Sequence, residues 1–221
     1  MKNIFGHITF LVSAEKFLTI IVLSFAVQFC FGQSGCNNNV PNWGESLGIV
    51  SFRTERTWVV GKQEWSDVVM ATACRKETFD GGKSRKFNAD CRSNGSHGDL
   101  FSWCAVMRFQ TQLCPDEWRV PTRHDFIALD IALGGNGRHR KNDQHLLKYV
   151  DVWGITYGGF CIESGWLRTQ DFSAHYWSSS SGSRSVAYSL SFLASINPIS
   201  VNPQDYGSKD FGFSLRCVRD K

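Results

Sequence analysis

Apolar and polar residues alternate in two stretches near the end of the chain. In "SVAYSLSF", 185–192, Val186, Tyr188, Leu190 and Phe192 fall on one face and Ala187, Ser189 and Ser191 on the other. In "FGFSLRCV", 211–218, Phe211, Phe213, Leu215 and Cys217 share a side. A period of two predicts strands with one face inward. "INPISVNPQDYG" between them carries two Asn-Pro turn signals. The simplest expectation is two antiparallel strands joined by a turn region.

Helical spacing marks other segments. In "RHDFIALDIAL", 123–133, Phe126, Leu129, Ile131 and Leu133 are expected largely inward. Thr122 precedes this run as an N-cap, Asp125 completes a variant capping box, and Gly134 and Gly135 stop the helix. Pro121 holds Val120 extended. "SDVVMATAC", 66–74, reads as a second helix, with Ser66 as N-cap and Val68, Val69 and Ala73 on helical spacing. "TWVVG", 57–61, is a short strand closed by glycine, and "LFSWCAVM", 100–107, fits helix or strand.

These local signals decide how to read "LCPDEWRVPTRHDF", 113–126, which holds Asp116, Glu117, Arg119, Arg123, His124 and Asp125. So many ionisable groups suggest a reaction centre. Turn formation at Pro115 and capping by Asp125 account for the segment without chemistry, so it is expected to be a hinge leading into a helix.

The N-terminus is different. Phe17 to Gly32, "FLTIIVLSFAVQFCFG", is a largely apolar run preceded by Lys2 and Lys16. This is a signal-peptide layout over 1–32, with cleavage near 32–35, and an uncleaved anchor is the alternative. Residues 33–48, rich in Asn, Gly, Ser and Pro, read as a flexible tether, and 49–221 as one domain.

Eight cysteines agree with export: Cys30, Cys36, Cys74, Cys91, Cys104, Cys114, Cys161 and Cys217. Removing the signal takes Cys30 and leaves an odd number. Small residues in "QSGC" make Cys36 a lipidation candidate, the alternative being a soluble secreted protein with Cys36 paired or free. The other six are disulfide candidates. Cys74 and Cys91 flank a polar, glycine-rich stretch too long for an untied loop. Cys161 with Cys217 would close a loop of about 57 residues, worth roughly 4 kcal/mol.

The formal charge of +4 is too small to argue for nucleic acid, and "RHRK", 138–141, reads as a solvated loop. A cysteine enzyme would need a base beside its thiol. Cys161 with His175 is conceivable, but a disulfide role for Cys161 explains it better, and no nucleophile–base–orienter set emerges. Calcium needs clustered acids, whereas Glu163, Asp151 and Asp171 are scattered. The pairs His97 with Asp99 and His139 with His145 fall short of a transition-metal site. No catalysis, metal or cofactor is expected. The aromatic segments around Trp153, Phe160 and Trp177 supply core residues and leave Tyr157, Trp166, His175 and Tyr176 as ligand-binding candidates.

The blocks "LFSWCAV", "LCPDEWRVPTRHDF", "LGG", "YWSSS" and "GFSLRCVRD", in this order over about 57–220, resemble the Fibrobacter succinogenes major paralogous domain family of bacteria. Ser102 and Cys104 stand where the family usually has Asn and Tyr, and the insertion 75–99 is longer than its pattern. A looser similarity joins "VGKQEWSDVVMATAC", "WRVPTRHDF" and "GFSLRCV" to the formylglycine-generating-enzyme group. The resemblance implies an α+β, C-type-lectin-like fold: two short helices, a small antiparallel sheet and long irregular loops, stabilised by disulfides. It implies a secreted or cell-surface domain, such as an outer-membrane lipoprotein, that binds an extracellular carbohydrate or protein. An enzyme on the formylglycine-generating scaffold is the alternative. Membrane contact is expected only through a lipid on Cys36 or an uncleaved signal.

Overall fold

The structure is a computed structural model that describes residues 50–51, 56–71, 91–141, 143–162, 166–194 and 200–221. The expected signal peptide and tether, Cys36 and Cys74 lie outside these residues. The N-terminal half holds β1 (Val50–Ser51), β2 (Trp58–Val60), β3 (Gln63–Val68), β4 (Met70–Ala71), β5 (Cys91–Arg92) and β6 (Leu100–Phe101). The helices are α1 (Trp103–Arg108), α2 (Gln110–Leu113), α3 (Arg123–Ala132) and, after β7 (Arg140–Lys141), α4 (Asp143–Trp153). The remainder is β8 (Phe160–Cys161), β9 (Leu167–Arg168), β10 (Ser173–Ser181), β11 (Val186–Leu193), β12 (Ser200–Ser208) and β13 (Arg216–Asp220).

Two antiparallel sheets organise the domain. One has the order β10-β11-β12-β7 and the other β13-β3-β2. Three two-stranded pieces, β1-β4, β5-β6 and β8-β9, surround them. Among the described residues strand outweighs helix, 41% to 24%. This corrects the expected α+β, C-type-lectin-like arrangement: several small antiparallel sheets replace one, and four helices replace two among the described residues.

The correction has local causes. "SDVVMATAC" does not begin a helix, because Ser66 lies inside β3 rather than at an N-cap. Its hydroxyl accepts from the Cys217 amide at 2.8 Å and donates to the Asp67 carbonyl at 2.7 Å. Strand β3 is flanked on both edges, and Trp65, Val68 and Val69 are buried. β-Branched valines suit that place better than a helix. The two alternating C-terminal stretches do not pair with each other either. Strand β11 pairs with β10 and β12, while β13 pairs with β3. The presumed turn "SVNPQDYG" is itself most of β12. Pro203 sits in it where the β11 register shifts between Ser189 and Ser191, a bulge that tolerates a missing N–H donor. "LFSWCAVM" is both things at once: β6, then α1 capped by the Ser102 hydroxyl, which accepts from the Ala105 amide at 3.1 Å.

Local signals with local partners held. Thr122 caps α3 and forms the reciprocal capping box with Asp125. Phe126, Leu129 and Leu133 are buried as expected, but Ile131 is exposed. Phe213, Leu215 and Cys217 belong to one buried cluster with Phe101, Trp103 and Trp177, and Phe211 packs against it. A second cluster gathers Trp65, Phe126, Tyr149, Trp153, Tyr176 and Phe192. Trp65 stacks on Phe126 at 5.6 Å and meets Trp153 edge-on at 5.6 Å. Burying each such ring contributes about 1.5–3 kcal/mol.

Cys217 is bonded to Cys114, 103 residues away, and not to Cys161. Cys161 is buried. Cys104 is disulfide-bonded as well. The Cys114–Cys217 bridge stitches the hinge segment to β13, and Arg119 and Val218 exchange backbone hydrogen bonds of 2.9 Å beside it.

Arg216 lies on the other face of β13, fully buried among rings. Its guanidinium carbon is 4.3 Å from the Trp153 ring centre and 4.5 Å from that of Trp58. It donates to the Trp153 carbonyl at 2.6 Å and to that of Gly154. Gly154 has φ +62° and lies so near Trp58 that a Cβ would fall 2.5 Å from its ring. Only glycine suits that conformation and that space.

Candidate functional site

Between α4 and β10, strands β8 and β9 pair antiparallel. Phe160 pairs with Arg168 and Cys161 with Leu167. Two residues of this segment, Thr169 at φ +50° and Asp171 at φ +68°, hold the left-handed conformation. Such backbone is costly for residues with side chains and persists only where the surroundings impose it. The surroundings do so here. The Asp171 amide donates to the Tyr157 carbonyl at 2.9 Å, and the Phe172 and Ser173 amides donate to the Thr169 carbonyl at 3.1 and 2.9 Å. Gly159, at φ +64°, packs so closely that a Cβ would fall 2.2 Å from the Arg168 carbonyl oxygen.

Polar side chains from a distant stretch complete the surface. Gln170 donates to the Asn94 side-chain oxygen at 3.1 Å and lies 3.2 Å from His97 Nδ1. His97 Nε2 is 3.3 Å from the Asp171 carboxylate, and Asn94 donates to the Gly158 carbonyl at 2.8 Å. The same segment carries two exposed aromatics, Trp166 at 43% and Phe172 at 57%. The Arg168 guanidinium lies 5.6 Å from the Trp166 ring centre.

The four predicted ligand residues fall in different places. Trp166 is exposed, just before β9. Tyr157 is half-buried, and burial first, then the neighbouring Tyr176, pushes its phenol up. Tyr176 is fully buried in the second core cluster, where its hydroxyl donates to the Thr156 carbonyl and accepts from the Thr156 amide, both at 2.9 Å. His175 stacks on Phe213 at 4.8 Å and meets Phe160 edge-on at 5.0 Å. Burial lowers its pKa to about 4 against the pull of Asp205, so it is a neutral packing ring at pH 7. Trp153 and Trp177 are core residues, as expected.

The weak metal pairs come apart. Asp99 is buried, accepting from the Ala71 amide at 2.8 Å, while His97 turns to Asp171. His145 is buried against Asp130 at 2.7 Å, and His139 is exposed. Asp130 also accepts from the Tyr149 hydroxyl at 2.9 Å and the Gly137 amide at 2.6 Å. This buried carboxylate fastens the "GGNG" loop to α3 and α4. Burial, followed by Asp130, pushes the Tyr149 phenol well up. No group of three or more metal-ligating side chains occurs among the described residues. Glu163 lies outside them.

The sequence reading missed Asn94, His97 and Gln170. Each is an ordinary polar loop residue, and nothing local announces that residues 94 and 170 meet. Asp171, dismissed as a scattered acid, anchors the row. The segment "LCPDEWRVPTRHDF" leads into α3 through the expected Thr122–Asp125 capping box. Compared with family models, curated proteins and solved structures, the chain matches none.

Proposed function

We propose that this chain is an exported binding module of the Fibrobacter succinogenes major paralogous domain family that holds its extracellular ligand on the 157–172 surface. The single observation that carries the reading is the exposure of Trp166 and Phe172 on a segment whose backbone is fixed by Thr169, Asp171 and their partners. Backbone held in this way at 169–173 loses little freedom on binding. Exposed flat rings on a segment that also carries Gln170 and Asp171 suit a sugar face or a peptide side chain. The shared order of the blocks from "LFSWCAV" to "GFSLRCVRD" supports the family, and the apolar run before Cys36 supports export. Among the described residues no helix is long and apolar enough to cross a membrane.

The test is a binding screen of the full chain against arrayed glycans and extracellular peptides, repeated with Trp166→Ala and Phe172→Ala. A ligand that weakens at least about tenfold in either variant, with unchanged melting temperature, supports the reading. A ligand indifferent to both substitutions places binding elsewhere and refutes it. Intact mass of the protein from its host tests export, a diacylglycerol-modified Cys36 being the lipoprotein outcome.

A further inference from the structure

Lys209 follows β12 and is 2% exposed. Its backbone is pinned at both ends: its amide donates to the Ser185 carbonyl at 2.9 Å, and its carbonyl accepts from the Trp103 amide at 3.1 Å. The side chain crosses the Trp103 indole, with Nζ 4.2 Å from the ring centre. Nζ donates to Ser181 Oγ at 2.9 Å. No carboxylate among the described residues forms an ion pair with it. Lysine is almost never buried this far without an acidic partner. An ammonium enclosed without a counter-ion gives up its proton more readily, and burial does push Lys209 down.

Ser181 is the opposite case. It is exposed, at the end of β10 and just past the register shift that separates it from Trp177. Bulges of this kind re-aim a side chain, often beside reactive sites. Its hydroxyl lies between the Lys209 amine and the Ser183 carbonyl, to which it donates at 3.0 Å. An exposed hydroxyl on a buried amine of lowered basicity is the arrangement that turns serine into a nucleophile at moderate pH.

We infer that Ser181 and Lys209 form a nucleophile–base pair able to carry out acyl transfer from ester or amide substrates. The Ser181 hydroxyl turns from the Ser183 carbonyl to the neutral Lys209 amine, which takes its proton as Oγ bonds to the substrate carbonyl carbon. The adduct collapses, the bond from carbon to the leaving oxygen or nitrogen breaks, and the leaving group takes the proton from Nζ. Water, deprotonated by the same amine, then adds to the acyl-serine, releasing the carboxylic acid and restoring the serine hydroxyl. The activity goes beyond ligand binding and uses none of the residues of the 157–172 surface.

The test is covalent capture with a biotinylated fluorophosphonate, in which Ser181 Oγ displaces fluoride from phosphorus. The full chain is labelled between pH 6 and pH 9.5, and the adduct is located by peptide mass spectrometry. The expected result is an adduct on Ser181 that forms faster as pH rises. It should be absent in Ser181→Ala and at least tenfold slower in Lys209→Arg, which keeps a long hydrogen-bond-donating side chain against Trp103 but accepts no proton in this range. Thermal melts establish that each variant is folded. A folded wild-type chain with no adduct on Ser181 at any pH overturns the inference, as does undiminished labelling in folded Lys209→Arg. The wild-type adduct map decides the matter even where Lys209→Arg fails to fold.

Discussion

Arg119 grips the Asp125 carboxylate with both terminal nitrogens, at 2.6 and 2.9 Å. The same carboxylate accepts from the Thr122 amide at 2.6 Å, the Thr122 hydroxyl at 2.7 Å and the Gln63 amide nitrogen at 2.5 Å. One side chain thus caps α3, orients the hinge and ties both to β3. Asp125→Ala is expected to lower stability by about 2–3 kcal/mol, through a lost cap and broken charge-assisted hydrogen bonds. Binding at the 157–172 surface should be unchanged in the folded fraction. Chemical denaturation beside a ligand titration checks both.

The pH dependence of that contact has a definite sign. Burial raises the Asp125 pKa, but Arg119 and Thr122 outweigh it and hold the carboxyl below its ordinary value of 3.8. A depressed folded pKa stabilises above the unfolded value and fades as pH falls through the folded one. Wild type should therefore lose stability below about pH 3.8 more steeply than Asp125→Asn, read as melting temperature against pH.

His175 acts in a higher window. Its folded pKa of about 4 lies below the ordinary 6.5, because burial between Phe213 and Phe160 excludes the charged form. Its contribution is complete above pH 6.5 and is lost between 6.5 and about 4. Up to about 3 kcal/mol should disappear across that interval in wild type and not in His175→Phe. Urea denaturation at intervals of half a pH unit would show it.

Gly159→Ala should cost more than an ordinary loop substitution. The added Cβ meets backbone, the Arg168 carbonyl oxygen, and φ is +64°. A loss of at least about 2 kcal/mol is expected, with weakened ligand binding because the β8–β9 pair and the Asp171 turn shift together. Proteolysis within 154–173, faster in the variant, would report the loosened segment.

Removing the bridge by Cys114→Ser with Cys217→Ser opens a loop of 103 residues. Chain entropy puts the loss at about 4–5 kcal/mol. Melting curves of the double variant measure it.

How much was legible in the sequence depended on the distance between partners. The Thr122–Asp125 capping box spans three residues and could be read directly. So could the shared face of Phe213, Leu215 and Cys217, because strand periodicity is local. Ser66 looked like an N-cap because the Cys217 amide that it serves is 151 residues away. The partner of Cys217 was misread for the same reason: loop length does not say which cysteine lies beneath the last strand. At the candidate site, Trp166 was visible as a loop aromatic. The row from Asn94 to Asp171 was not, since left-handed backbone at Thr169 and Asp171 leaves no mark in residue type.

The pairing of β3 with β13 has a consequence in time. Arg216 faces Val68, and Val218 faces Trp65, across about 150 residues, a separation that slows folding. Strand β3 has no neighbour on that edge until β13 is made, and Cys114 has no partner until Cys217 arrives. During synthesis the N-terminal part of the domain therefore stays open. Closure of this edge, and the Cys114–Cys217 bond with it, waits for β13 and an oxidant.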